Sequence, residues 1–130
     1  MRALLALVLI LTAAPALAQR EPEWRTVPEY DVLLRAFAYE PRTIRIEAGR
    51  PVRLRFVNDG RAALSLSAPA FFRAARLRRG DEDLARTGGF RLRPGERRTI
   101  ALVPSRGRYA MSSFNLVQRV LGMRGVIVVE

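Results

Sequence analysis

The sequence predicts an all-β fold, a Greek-key β-sandwich of seven or eight short strands with one short helical insert around residues 70–79. Three observations predict it. Runs of period-2 alternation such as Val52-Arg53-Leu54-Arg55-Phe56-Val57 recur along the chain. Asp-Gly, Gly-Gly and Pro-Gly pairs punctuate those runs at short intervals. The 130 residues, 49% hydrophobic, suit one small globular domain rather than two.

Residues 1–18 read as a secretory signal. Arg2 supplies the charged start, Ala3 to Ala14 the apolar stretch, and Ala16-Leu17-Ala18 the small-residue cleavage site. Thr12 and Pro15 interrupt an apolar run already too short for a membrane span. Cleavage after Ala18 leaves a chain with no transmembrane segment, placed in a bacterial periplasm or secreted. Residues 19–29, with Pro22 and Pro28, read as an extended arm. Trp24 either packs on the edge of the core or stands in solvent.

The domain occupies residues 30–130. Tyr30 to Phe37 alternates imperfectly, Thr43 to Glu47 alternates better, and Pro51 to Val57 alternates almost strictly. These three are expected to form a meander. Asn58-Asp59-Gly60 turns the chain into a strand at Ala63 to Ala68. Pro69 to Leu77 then has helical spacing, with Pro69 suited to a first turn and Gly80 able to end it. Strand patterns return at Gly89 to Leu92, Arg98 to Val103, Arg108 to Ser112 and Gly125 to Val129.

The chain has no Cys and no His, and all 23 of its basic residues are Arg. Disulfides, thiolate ligands, imidazole ligands and the usual general base are therefore excluded. A serine nucleophile has neither His nor Lys to activate it. The chain is read as no enzyme. The acidic run Asp81-Glu82-Asp83 lacks the spaced ligands of a calcium loop and is expected to pair with nearby arginines.

The order of landmarks resembles the cupredoxins, small secreted β-sandwiches that often hold a type 1 copper. Those landmarks are Phe37 and Pro41 with Ile44, Ile46 and Gly49; Val52 to Asn58; Ala68-Pro69-Ala70-Phe71-Phe72; Pro94-Gly95; Gly107-Arg108-Tyr109; and Gly122-Met123-Arg124-Gly125. The resemblance implies that Leu64 stands at the first copper-histidine position, with Ser65 beside it. It places Ser113 where the cysteine belongs, Gln118 at the second histidine and Met123 at the axial methionine. Three of four ligands are then replaced, so no metal and no cofactor are expected, with Leu64 and Val117 packing in the vacated place. The alternative is a copper-handling or electron-transfer protein with a degenerate Cu(I) site, in which Met111, Asn115 and Gln118 gather beside Met123.

The formal charge is +11. Arg73, Arg76, Arg78 and Arg79 are read as a cluster on the helical insert and its exit. Arg53 and Arg55 share a strand face, with Arg45 near them. The four-arginine cluster suits an acidic protein or an anionic envelope component, since guanidinium forks match carboxylates and phosphates. Nucleic acid is not expected: the compartment is wrong, and no aromatics are interleaved with a basic stripe. The sequence thus describes a secreted binding or scaffold module, accessory to a periplasmic metal-uptake or electron-transfer system.

Overall fold

The computed structural model of the protein describes residues 21–130. The predicted signal and the first residues of the arm lie outside the described residues.

The chain forms two packed five-stranded sheets. One contains, in spatial order, β2 (Ala38–Glu40), β1 (Glu29–Arg35), β4 (Val52–Asn58), β8 (Arg97–Val103) and β6 (Arg76–Leu77). The other contains β3 (Thr43–Ile46), β10 (Arg124–Val129), β9 (Gly107–Ser112), β5 (Leu64–Ser67) and β7 (Gly89–Leu92). The alternation in β4 does what its period requires. Val52, Leu54 and Phe56 face inward and are at most 3% exposed, while Arg53 and Arg55 face outward. Val32 and Leu34 of β1, Ile100 and Leu102 of β8, and Ile127 and Val129 of β10 complete the shared core.

Three expectations are corrected. The predicted meander does not form: β1 pairs in parallel with β4, and β3 crosses to the other sheet, where it pairs in parallel with β10. Every connection from β2 to β9 passes between sheets, so sequence-adjacent strands share a sheet only at β1–β2 and β9–β10. Alternation fixes which face is buried but not which strand lies alongside, so it could not distinguish the two arrangements.

The helical insert is also shorter than predicted. α1 runs from Pro69 to Ala74 and buries Phe71 and Phe72 completely. At Ala75 the backbone turns extended (φ −80°, ψ 153°), and Arg76–Leu77 pair with Val103 and Leu102 of β8. Edge pairing thus takes residues whose spacing suited a helix. Two further helices were not predicted: α2 (Leu84–Thr87) and α3 (Leu116–Val120). With β2 and β6 added, the strands number ten among the described residues and the sheets are mixed.

The turns follow their chemistry. Asn58 is buried and donates its amide to the carbonyls of Ala62 and Leu92, while its Oδ1 accepts from the N–H of Gly60. Gly88 ends α2 in the left-handed region at φ 75°. Asp81 pairs with Arg78 at 3.1 Å and Asp83 with Arg98 at 3.7 Å, as expected of the acidic run.

Candidate functional site

β5 and β9 meet in register only at Ser67 and Ser112. Beyond that pair, side chains take over from the backbone ladder. The N–H of Phe114 donates to the hydroxyl of Ser65 at 2.9 Å, and the carbonyl of Ser65 accepts the buried Tyr39 hydroxyl at 2.7 Å. Ser113 follows the end of β9, fully buried, with its N–H on the carbonyl of Met123.

The Ser113 hydroxyl is the hub. It donates to Oε1 of Gln118 at 2.8 Å, accepts from the N–H of Asn115 at 3.0 Å, and lies 3.1 Å from the hydroxyl of Ser65. A serine has one proton and two lone pairs. With its proton on Gln118, Ser113 must accept from Ser65, and its capacity is then complete. Gln118 anchors α3 over this point: Asn115 caps its N–H, and its amide reaches the carbonyl of Ala63 at 3.5 Å.

No protein-family model matches the chain, and no curated protein matches it by sequence. Solved structures do match. A reduced auracyanin from Roseiflexus castenholzii superposes with a TM-score of 0.59 at 18% identity, covering 81% of this chain and 98% of its own. A multicopper oxidase from Campylobacter jejuni gives 0.60 at 11% identity, covering 85% of this chain and 30% of its own. A copper nitrite reductase from Nitrosomonas europaea gives 0.56 at 15% identity, covering 78% of this chain and 48% of its own. All three have one architecture.

The chain has the cupredoxin fold.

The four positions that the cupredoxin resemblance singled out lie at one end of the sandwich. Leu64 is 2% exposed and adjoins Ser65; Ser113 and Met123 are fully buried; Gln118 is half-buried above them. Met111 is buried in the same core, and Asn115 caps α3. Val117 is corrected: it is 63% exposed and does not pack beside Leu64, because α3 turns that face to solvent.

A cupredoxin copper centre needs a thiolate and imidazoles. An aliphatic side chain, a hydroxyl and an amide stand at these positions instead. Both lone pairs of Ser113 are committed to Asn115 and Ser65, so the hydroxyl has none to offer a metal. The residues present do not fit a type 1 copper. The thioethers of Met111 and Met123 are the soft donors left at this end.

The arginine cluster is more divided than the sequence implied. Arg73 lies on α1, but Arg76 lies in β6 and Arg78 and Arg79 follow it. Arg78 closes on Asp81. Glu21 approaches Arg76 and Arg79; its carboxyl is held below the usual range first by the Trp24 indole N–H, then by the Arg79 backbone and the two guanidinium charges. On the other flank, Arg55 grips both oxygens of Asp31 and Arg53 pairs with Glu29. Arg45 is not near them. It sits on β3 in the opposite sheet, paired with Glu130.

Sequence reading missed the exposed apolar residues at the α3 end: Phe114, Leu116, Val120 and Leu121, with Phe37 beside them. Asn115 three residues before Gln118, followed by Gly122, is a helix start and stop signal that could have located α3. No helix among the described residues is long and apolar enough to cross a membrane.

Proposed function

We propose that the protein is an exported, non-catalytic binding module that uses the cupredoxin fold without copper. The observation that carries this reading is the saturated Ser65–Ser113–Gln118 chain, in which neutral groups satisfy one another at the end of the sandwich where the family's ligands fall. Unpaired imidazoles or a thiol would be costly to bury there, whereas closed hydroxyl and amide bonds are not. The same hydroxyls have no base to activate them, which supports a role without catalysis. The signal-like residues 1–18 support export to a periplasm or beyond.

The excess of arginine supports a partner that is an acidic protein or an anionic envelope component. Service to a periplasmic metal-uptake or electron-transfer system belongs to the same reading. The test is elemental analysis of residues 19–130 with Cu(I) and Cu(II) titration under optical spectroscopy. No tight binding of either ion is expected. Retention of one Cu(I) without a thiolate band, lost in Met111→Leu and Met123→Leu, would replace this reading with a methionine-based copper carrier.

A further inference from the structure

The end of the sandwich around α3 carries an apolar surface that no described residue covers. Leu116, Val117, Val120 and Leu121 are 59–66% exposed, and Phe37 and Phe114 are 44% and 46% exposed. The first four share α3 and its C-cap, Phe37 adjoins them through Gly122, and Phe114 immediately precedes the helix. Gly122, next to Leu121, packs so closely on the Phe37 carbonyl that a Cβ there would lie 3.2 Å from it, and the Phe114 ring lies against Gly89. Phe37 is held at φ 64°, a left-handed conformation that bulky residues rarely adopt, and its ring is half exposed. Contiguous exposed apolar surface of this kind marks an interaction site.

The border of the tip has one sign. Arg42 donates to the Gly122 carbonyl at 3.4 Å, and Arg124 donates to the Arg119 carbonyl at 3.1 Å. Arg61 lies two residues before Ala63, the partner of Gln118. None of these four arginines pairs with a carboxylate among the described residues. The acids nearby, Glu40 at the end of β2 and Asp59 just after β4, both close on Arg35. From Arg97 to Val129 there is no acidic residue at all.

We propose that this tip seats on an anionic lipid bilayer, with the α3 side chains and Phe37 entering the headgroup boundary while Arg42, Arg61, Arg119 and Arg124 meet lipid phosphates. A second copy of the chain fits poorly, because two such tips would oppose arginine to arginine. A bilayer is favoured over a protein partner by how fully the apolar side chains stand in solvent. α3 buries none of its residues and lines neither of two concave sites, one of about 280 Å³ between Pro28 and Pro51 and one beside Pro104 and Arg106, which lie at the opposite end. The proposal deepens the binding-module reading and rests on it only for the class of partner.

The test is cosedimentation of residues 19–130, which contain every core residue among those described, with phosphatidylcholine vesicles made with and without phosphatidylglycerol. Binding is expected only with phosphatidylglycerol and is expected to weaken with salt. Leu116→Glu with Val120→Glu, and separately Arg119→Glu with Arg124→Glu, should each weaken it by about tenfold or more. Arg106→Glu with Arg108→Glu, at the opposite end from the tip, should leave most of it. All of these side chains are exposed except Arg119, which is half-buried, and circular dichroism confirms folding of each variant. Absence of binding at low salt overturns the proposal, as does unchanged binding of the Leu116→Glu, Val120→Glu protein. Equal losses from both arginine pairs also overturn it, since attraction would then be diffuse. Tip-dependent binding of an acidic protein without vesicle binding would reassign the surface to protein docking. Copper found in the same sample would remove the copper-free reading and leave the vesicle result standing.

Discussion

Ser65 and Ser113, 48 residues apart in sequence, bring their hydroxyls within 3.1 Å of each other in the core. Because Ser113 gives its proton to Gln118, the contact has one direction: Ser65 donates to Ser113 and Ser113 donates to Gln118. The chain ties β5, the end of β9 and α3 together without a charge.

Removing the hub should cost more than removing its feeder. Ser113→Ala leaves the Asn115 N–H, the Ser65 proton and the Gln118 oxygen without that partner, and is expected to lower stability by about 1–3 kcal/mol. Ser65→Ala is expected to cost less, since Ser113 keeps its bonds to Gln118 and Asn115. Urea denaturation midpoints compare the two. Equal midpoints would mean that the network carries no directional weight.

If the fold retains the geometry of a lost metal centre, restoring the donors should restore the metal. The combined variant Leu64→His, Ser113→Cys, Gln118→His, with Met123 untouched, is expected to bind Cu(II) and show an intense thiolate-to-copper absorption. A folded variant that stays colourless with Cu(II) would show that these four positions do not converge as a ligand set.

Gly89 is indispensable for space rather than for backbone freedom. A Cβ there would collide with the carbonyl of Leu66 and lie 2.8 Å from the α-carbon of Ser67, both backbone atoms of the neighbouring strand. Gly89→Ala is expected to lower stability by about 1–3 kcal/mol through overpacking, read as a drop in thermal midpoint. Gly95→Ala meets no atom within 4 Å but has φ 76°, so its smaller penalty is conformational.

The pH dependence should centre on Tyr39. Its hydroxyl is buried on the carbonyl of Ser65, and burial pushes its ionisation well above that of free tyrosine. A group held protonated by folding contributes fully below its unfolded value, about pH 10, and loses that contribution as pH rises further. With no Lys, Cys or His, few other groups titrate in this range. Stability is expected to hold up to about pH 9 and to fall above about pH 10. Tyr39→Phe should begin about 1 kcal/mol lower, from the lost hydrogen bond, and decline less steeply. Parallel slopes in denaturant midpoint against pH would exclude Tyr39 as the source.

Much of the fold was legible because burial on one face writes itself into period-2 spacing. β4 follows that spacing strictly. The strands read at β8, β9 and β10, where β8 and β10 are instead short apolar runs, end within a residue or two of their observed bounds. The order of landmarks from Phe37 to Gly125 also carries the cupredoxin resemblance. Pairing was not legible, since Tyr30 to Arg35 alternates identically beside β2, β3 or β4. The end of α1 was hidden because Ala75 and Arg76 suit a helix in isolation, and only the open edge of β8 draws them into a strand. At the candidate site, the resemblance singled out positions 64, 113 and 118, and the Ser113–Gln118 hydrogen bond joins two of them. The hydroxyl contact of Ser65 and the outward turn of Val117 depend on how β5 and β9 splay, which no local pattern encodes.

The place of β10 in its sheet has a consequence for how the molecule comes into being. Arg124–Val129 lies between β3 and β9, in register with Thr43–Ile46 on one side and Gly107–Ser112 on the other. Until those residues leave the ribosome, the second sheet is split and β3 has no neighbour in it. Assembly of this sheet therefore waits for Arg124–Val129, and joining β3 to β10 closes a loop of some eighty residues rather than a local hairpin. A nascent chain of this design cannot close its second sheet until Arg124–Val129 has been made, and until then the open edge of β9 is left for another strand to claim.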